Sequence, residues 1–243
     1  MATGKTHSRW LRLFVDEVNL SGDSRQIGQF GVNYDLANLE GWSDPIKYVN
    51  MGQVNHTLTG YQAVFNNTAS TGAYTELVAL EEYVVSLLIG IRAAPALGDP
   101  AYIGSYEQAS FDVSGQDAIL MSVDFAKAIT DMDHERAFGI VLEPGSTSRT
   151  ATLTGTSVDN GASSSNGALA HLHVTVSSGG TWTLKVQDSA NDADWADLIT
   201  FAADGSVVAG ERGDVAGTVD RYLRALFTRT SGSLTACLTV VRQ

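Results

Sequence analysis

The sequence predicts a mainly β protein: a β-sandwich or half-barrel with one flanking α-helix, followed by a second antiparallel β-sandwich. Three observations carry this. Apolar residues take every second place in Leu172-His173-Val174-Thr175-Val176, across Trp182, Leu184 and Val186, and across Leu234, Ala236, Leu238 and Val240, the alternation of strands with one buried face. Turn residues punctuate these runs at Ser178-Gly179-Gly180 and Thr230-Ser231-Gly232-Ser233, which read as hairpin turns. Helical spacing is convincing in one place, where Tyr74, Leu77, Val78 and Glu81 follow a possible N-cap at Ser70 or Thr71.

Candidate strands in the first half cover residues 10–15, 27–34, 53–65, 83–91, 102–113 and 118–125. Gly115-Gln116-Asp117 tightly links the last two. The 83–91 run is apolar at nearly every position and holds Val84, Val85 and Ile89, which suits a strand covered on both faces. Pro144 and Gly145 break any continuing element, and the composition shifts there from acidic to rich in Ser, Thr and Gly. The expected organisation is a first domain over 1–144, a linker over 145–167 and a second sandwich over 168–243. Among the large apolar residues the linker holds only Leu153 and Val158.

Composition narrows the function. The formal net charge is -12. Residues 1–144 hold 18 Asp/Glu against 8 Lys/Arg, and residues 145–243 hold 9 against 7. Gripping nucleic acid needs a basic footprint whose counterion release drives binding, so this acidity opposes that role without opposing one in which DNA slides past. Charged residues make up only 17%, below the roughly 25% usual for soluble domains, as expected of a surface hidden in an assembly. The one cysteine, Cys237, excludes an intrachain disulfide and is expected to be a buried strand residue. Asp16 and Glu17 interrupt the apolar run after the basic N-terminus, so no signal peptide is expected. The longest apolar stretch is about half of what a membrane-spanning helix needs.

No catalytic set, cofactor motif or metal-ligand spacing stands out. Asp131-Met132-Asp133-His134-Glu135 gathers ligand types but has no glycine for a calcium-loop turn, so a solvated acidic loop is expected. In the run from Ser189 to Asp197, Asn191-Asp192 is expected to start a turn, with Trp195 packing into the sandwich. His171 and His173 share a strand face and are expected to point to solvent. Arg221, Arg224 and Arg229 are expected to form local ion pairs, with Asp214 and Asp220 nearby. Neither an enzyme nor a resident metal is expected.

Several blocks resemble the major tail (tail tube) proteins of long-tailed siphophages. They are Asn19-Leu20-Ser21-Gly22-Asp23-Ser24-Arg25, Phe65-Asn66-Asn67-Thr68, and the stretch from Gly90 through Arg92 and Pro95 to Ala101. Trp195-Ala196-Asp197-Leu198 and Arg221-Tyr222-Leu223-Arg224 are similar to accessory β-sandwich domains of phage virion proteins. The resemblance implies a virion protein made in the bacterial cytoplasm, whose copies form hexameric rings that stack into a hollow tube. It implies a tape-measure protein in the lumen during assembly, and genomic DNA passing without specific binding. It also implies a long hairpin loop contacting the next ring, placed at residues 35–55, where Trp42, Pro45, Ile46, Tyr48, Val49 and Met51 are unusually apolar for a loop. An acidic bore would draw on Asp112, Asp117 and Asp124, or on Glu76, Glu81 and Glu82.

A reading of another class is a carbohydrate-binding or adhesion module, with Trp182, Trp195 and Tyr222 as stacking residues on the second sandwich. A capsid decoration or tail-terminator protein is a third.

Overall fold

The computed structural model describes residues 7–38, 49–79, 82–91, 93–115, 118–128 and 136–243. It is mainly β, built from large antiparallel sheets with a single α-helix among the described residues. In chain order the first half comprises β1 (Leu11–Val15), β2 (Val18–Asn19), β3 (Ser24–Gln26), β4 (Gln29–Asn38), β5 (Val49–Val64), α1 (Ala73–Leu77), β6 (Glu82–Ile89), β7 (Pro100–Gly115), β8 (Ile119–Lys127) and β9 (Phe138–Pro144). The second half comprises β10 (Leu153–Thr154), β11 (Val158–Asp159), β12 (Ala168–Ser177), β13 (Trp182–Ser189), β14 (Ala196–Thr200), β15 (Ala209–Val215), β16 (Tyr222–Arg229) and β17 (Leu234–Arg242).

β7 is the strand that makes a sandwich of the first half. Its leading part, Ala101 to Glu107, pairs with β6, and its trailing part, Tyr106 to Gly115, pairs with β8. A register shift between Gln108 and Ser110 marks the passage, as a bulge re-aims a strand. One leaf is therefore β2-β1-β6-β7, and the other is β7-β8-β5 with β3 and β4 along the far side of β5. Leu13, Val15, Leu58, Tyr61, Val85, Leu87, Tyr102, Met121, Val123 and Phe125 close the core between them.

The second half continues the same sheet. β17 pairs with β9, β12 with β17, and β15 with β12. A separate five-stranded sheet, β10-β16-β13-β14 with β11 on β16, lies over that extension. Ala170, Leu172, Val174, Trp182, Leu184, Phe227 and Leu238 fill the core of this second sandwich. Segment 145–167 supplies β10 and β11, both held on β16.

The two glycine-rich turns do not make hairpins. β12 and β17 belong to the large sheet, whereas β13 and β16 belong to the small one. Each turn is thus an arch from one sheet to the other, and alternation along a strand does not say which partner the next strand takes. The two arches lie against each other: Thr230 N donates to Thr181 O at 2.8 Å, and Ser233 N to Ser178 Oγ at 2.8 Å. A Cβ on Gly232 would meet Gly179 O at 2.0 Å, which accounts for glycine there.

The helix is shorter than its sequence spacing implies, and its cap is not local. Its N-cap is Gly72, without a side-chain cap bond, while Asp23 Oδ2 accepts from Ala73 N at 3.1 Å. Neither Ser70 nor Thr71 does this work, because the carboxylate arrives from a segment 50 residues earlier.

Candidate assembly surfaces

β4 and β5 form a ribbon that leaves the first sandwich. They pair from Gln29 opposite Thr59 to Asn38 opposite Val49, whereas β5 pairs with β8 only between Leu58 and Val64. Beyond Leu58 the ribbon is two strands wide among the described residues, and its outer edges present N–H and C=O groups suited to another strand. Its root is anchored. The Tyr102 hydroxyl lies 3.0 Å from Gly31 O and 2.9 Å from Thr57 O, and Phe30 packs on the Tyr102 ring at 5.6 Å. Of the apolar residues expected in an inter-ring loop, Val49 and Met51 fall on β5, opposite Asn38 and Leu36. Trp42, Pro45, Ile46 and Tyr48 lie outside the described residues.

The outer face of the β5-β8-β7 leaf follows from the same alternation. Met121, Val123 and Phe125 point into the core, so Ser122 and Asp124 point out. Register places Asp112 and Gln62 beside Ser122, and Ser110 beside Asp124. With Thr57 and Thr59 at the ribbon root, this face carries hydroxyls, amides and carboxylates and no Lys or Arg at these positions. Asp124 is committed within the fold. It accepts from Gly60 N at 2.6 Å, where β5 bulges and Gly60 takes φ +65, and from Ser110 Oγ at 3.4 Å. Asp112 is exposed. Glu76 sits on α1 and Glu82 at the start of β6, on other elements, and Asp117 and Glu81 lie outside the described residues.

The sandwich is open between β1 and β3. A cavity of about 120 Å³ lies at this seam, lined among others by Arg9, Arg12, Leu13, Ser21, Ser24 and Arg25. Two of the sequence blocks singled out above meet beside it. Ser21 Oγ accepts from Leu13 N at 3.0 Å, and Ser24 Oγ lies 3.0 Å from the Tyr61 hydroxyl. Asn66 Nδ2 donates to both Asp23 carboxylate oxygens, at 3.1 and 3.0 Å.

On the small sheet, Trp182 is 2% exposed and belongs to the core, so it is not a surface stacking residue. An aromatic at an inward position of a strand is buried by the opposite sheet. Trp195 is half-buried under the Arg224 guanidinium, 3.9 Å from its ring centroid, instead of packing into the sandwich. Arg224 reaches Gln187 Oε1 at 2.8 Å, and Gln187 reaches Asp197 at 2.8 Å, with Lys185 on the other carboxylate oxygen. Arg221 stacks by Tyr222 at 5.0 Å and grips Asp159 through two bonds of 2.6 Å, holding that carboxyl down to about 2. The arginine partners are therefore Asp159 and Gln187, while Asp214 lies 3.9 Å from Arg212.

His171 and His173 are both fully buried, contrary to the expectation of solvent-facing side chains. The face of β12 that the small sheet leaves open is covered by the first half of the chain, with Phe14, Leu88, Ile103, Val141 and Val241 around it. His173 Nδ1 lies 2.7 Å from Asp16 O, and since a carbonyl only accepts, that nitrogen carries the proton. Its Nε2 then accepts from Ser86 Oγ at 2.8 Å, and Thr239 Oγ1 lies 2.9 Å beyond. His171 Nδ1 likewise donates to Val85 O at 3.0 Å. Burial, followed by the neighbouring His171, lowers the His173 pKa to about 3. Cys237 is buried on the next strand as expected, and burial raises its thiol well above the usual range.

Among the described residues no group of three or more His, Cys, Asp or Glu is arranged to hold a metal. The loop from Ser189 closes on itself, Asn191 Oδ1 accepting from Ala193 N at 3.0 Å and Asp194 N at 2.9 Å, the turn expected there. Asp131 to Glu135 lie outside the described residues.

No protein-family model matches the chain, and no curated protein does. Among solved structures it is similar to the Dit protein (gp 19.1) of phage SPP1, described as a paradigm of the hub adsorption apparatus in phages infecting Gram-positive bacteria. The identity is 8%, the TM-score is 0.35, and the match covers 96% of this chain and 99% of that one. A likeness at that score does not establish a common fold.

Proposed function

We propose that this chain is a structural subunit of a bacteriophage virion, whose copies stack as rings into the hollow tail tube through which DNA leaves. The observation that carries the reading is the β4–β5 ribbon, two strands wide where it leaves the sandwich. Such a ribbon is marginal alone and gains most by pairing with another chain. Beside it, the outer face of the β5-β8-β7 leaf suits a bore. Hydroxyls and amides keep it wet, and Asp112 repels phosphates over a Debye length of roughly 8 Å at physiological salt, so counterion release has nothing to drive. The resemblance of the Asn19–Arg25 and Phe65–Thr68 blocks to siphophage tail proteins points the same way.

Negative-stain microscopy of the purified chain tests this. Rings or filaments are expected, and particles that stay single across a wide concentration range would overturn the reading. Replacing residues 35–55 with a short turn is expected to leave a folded subunit that no longer stacks, since the Tyr102 anchor lies outside the deletion. Unchanged assembly would remove the ribbon from the argument.

A further inference from the structure

The first half of the chain has only eight Lys or Arg, and three of them, Arg9, Arg12 and Arg25, line the seam cavity between β1 and β3. None of the three forms an ion pair with a carboxylate among the described residues. The acidic groups nearest in sequence are engaged elsewhere. Asp23, two residues before Arg25, accepts from Asn66 Nδ2 and Ala73 N, and Asp16, just past the end of β1, accepts from Val84 N at 2.8 Å.

The donors at the cavity are guanidinium groups. Ser21 and Ser24 give their hydroxyl protons to Asn19 Oδ1 and Leu20 O. Arg12 is partly buried, and one of its terminal nitrogens donates to the carbonyls of Arg9 and Leu11 at 3.1 and 2.7 Å. That bond pair fixes the side chain and leaves its other two nitrogens without a partner among the described residues. Arg9 covers the Trp10 ring at 4.4 Å, and Arg25 is exposed. Guanidinium N–H groups only donate, and their fork matches a pair of phosphate or carboxylate oxygens. At about 120 Å³ the cavity is well below the roughly 300–1,000 Å³ of a site for a drug-sized molecule. It suits a compact ion.

We propose that the seam between β1 and β3 is a binding site for a compact oxyanion of the phosphate class, held by Arg9, Arg12 and Arg25. Three like charges around one small cavity repel one another, and a bound dianion turns that repulsion into attraction. Arg9 and Arg12 come from the β1 leaf and Arg25 from β3 on the other leaf, so the ion clips the sandwich together where it is open. A phosphodiester chain fits less well: the cavity has room for one phosphate group, and the acidic first half repels a polymer of them. The site does not depend on the tube reading.

Inorganic phosphate is the probe, titrated into wild type and into R9Q/R25Q, with sodium chloride at matched ionic strength as the control. Both substitutions change exposed side chains; Arg12 is left intact because it holds the backbone, and circular dichroism checks that the variant folds. An ion that binds only the folded chain raises the melting temperature with saturation. At twenty times a Kd of about 1 mM the rise over the chloride control is expected to be about 4 °C or more in wild type. In the variant only the unsaturable effect of an excluded salt is expected to remain. Calorimetric titration of the folded chains is expected to show one phosphate site in wild type and none in R9Q/R25Q. Equal responses in the two chains would overturn the site. A short 5′-phosphorylated single-stranded oligonucleotide that binds through Arg9 and Arg25 more tightly than inorganic phosphate would overturn the compact-ion assignment.

Discussion

Acidification is expected to loosen the two halves of the molecule through His173. In the unfolded chain an imidazole titrates near its usual value of about 6.5, whereas buried beside His171 it titrates at about 3. Between those values the unfolded chain binds a proton that the folded chain refuses. The folded state therefore keeps its full stability above about pH 6.5 and loses it progressively as the pH falls toward 3. Going from pH 7 to 4.5 is expected to cost about 2.5 kcal/mol through this one group. Around the ring, His171 lies two residues away on the same strand, Arg212 stands across from His171 on β15, Asp16 contributes its carbonyl, and Ser86 and Thr239 contribute hydroxyls. Urea unfolding of wild type and His173→Gln at both pH values measures it. The carboxylates titrate alike in both chains and cancel, so wild type is expected to lose about 2.5 kcal/mol more than the variant. Equal losses would refute the argument, and so would a His173 ring resonance in folded wild type that titrates near 6.5. The second measurement needs no variant.

Two further substitutions probe what holds the fold. Asp23→Ala strands Ala73 N and Asn66 Nδ2 together, at a cost of about 1–3 kcal/mol; a melting temperature within a degree of wild type would show that the carboxylate caps nothing. Trp182→Ala opens a cavity in the second sandwich and is expected to cost about 3–5 kcal/mol by denaturant titration. A loss below about 1 kcal/mol would mean that the ring is not packed as described.

Strand runs, the buried Cys237 and the Asn191 turn were legible because each depends on neighbours two to four residues away. The same local pattern misled wherever the partner was remote. Ser178-Gly179-Gly180 has the composition of a hairpin turn, yet it serves as an arch because β12 and β13 lie in different sheets, and its glycines let it touch the backbone of the second arch at Gly232. Trp182 and Trp195 look alike as aromatics on strands, yet one fills a core and the other lies under Arg224. Arg9, Arg12 and Arg25 form no local pattern, being scattered along the sequence, and the opening between β1 and β3 gathers them.

By itself the sequence determined that the chain forms antiparallel strands in two sandwiches, because side-chain alternation and turn chemistry act over a few residues. Only the tertiary structure decided that β17 joins β9, that β12 is covered on both faces and that His173 is therefore neutral. Burial of a strand face depends on which distant strand lies against it, and period-2 alternation is the same for every choice of partner.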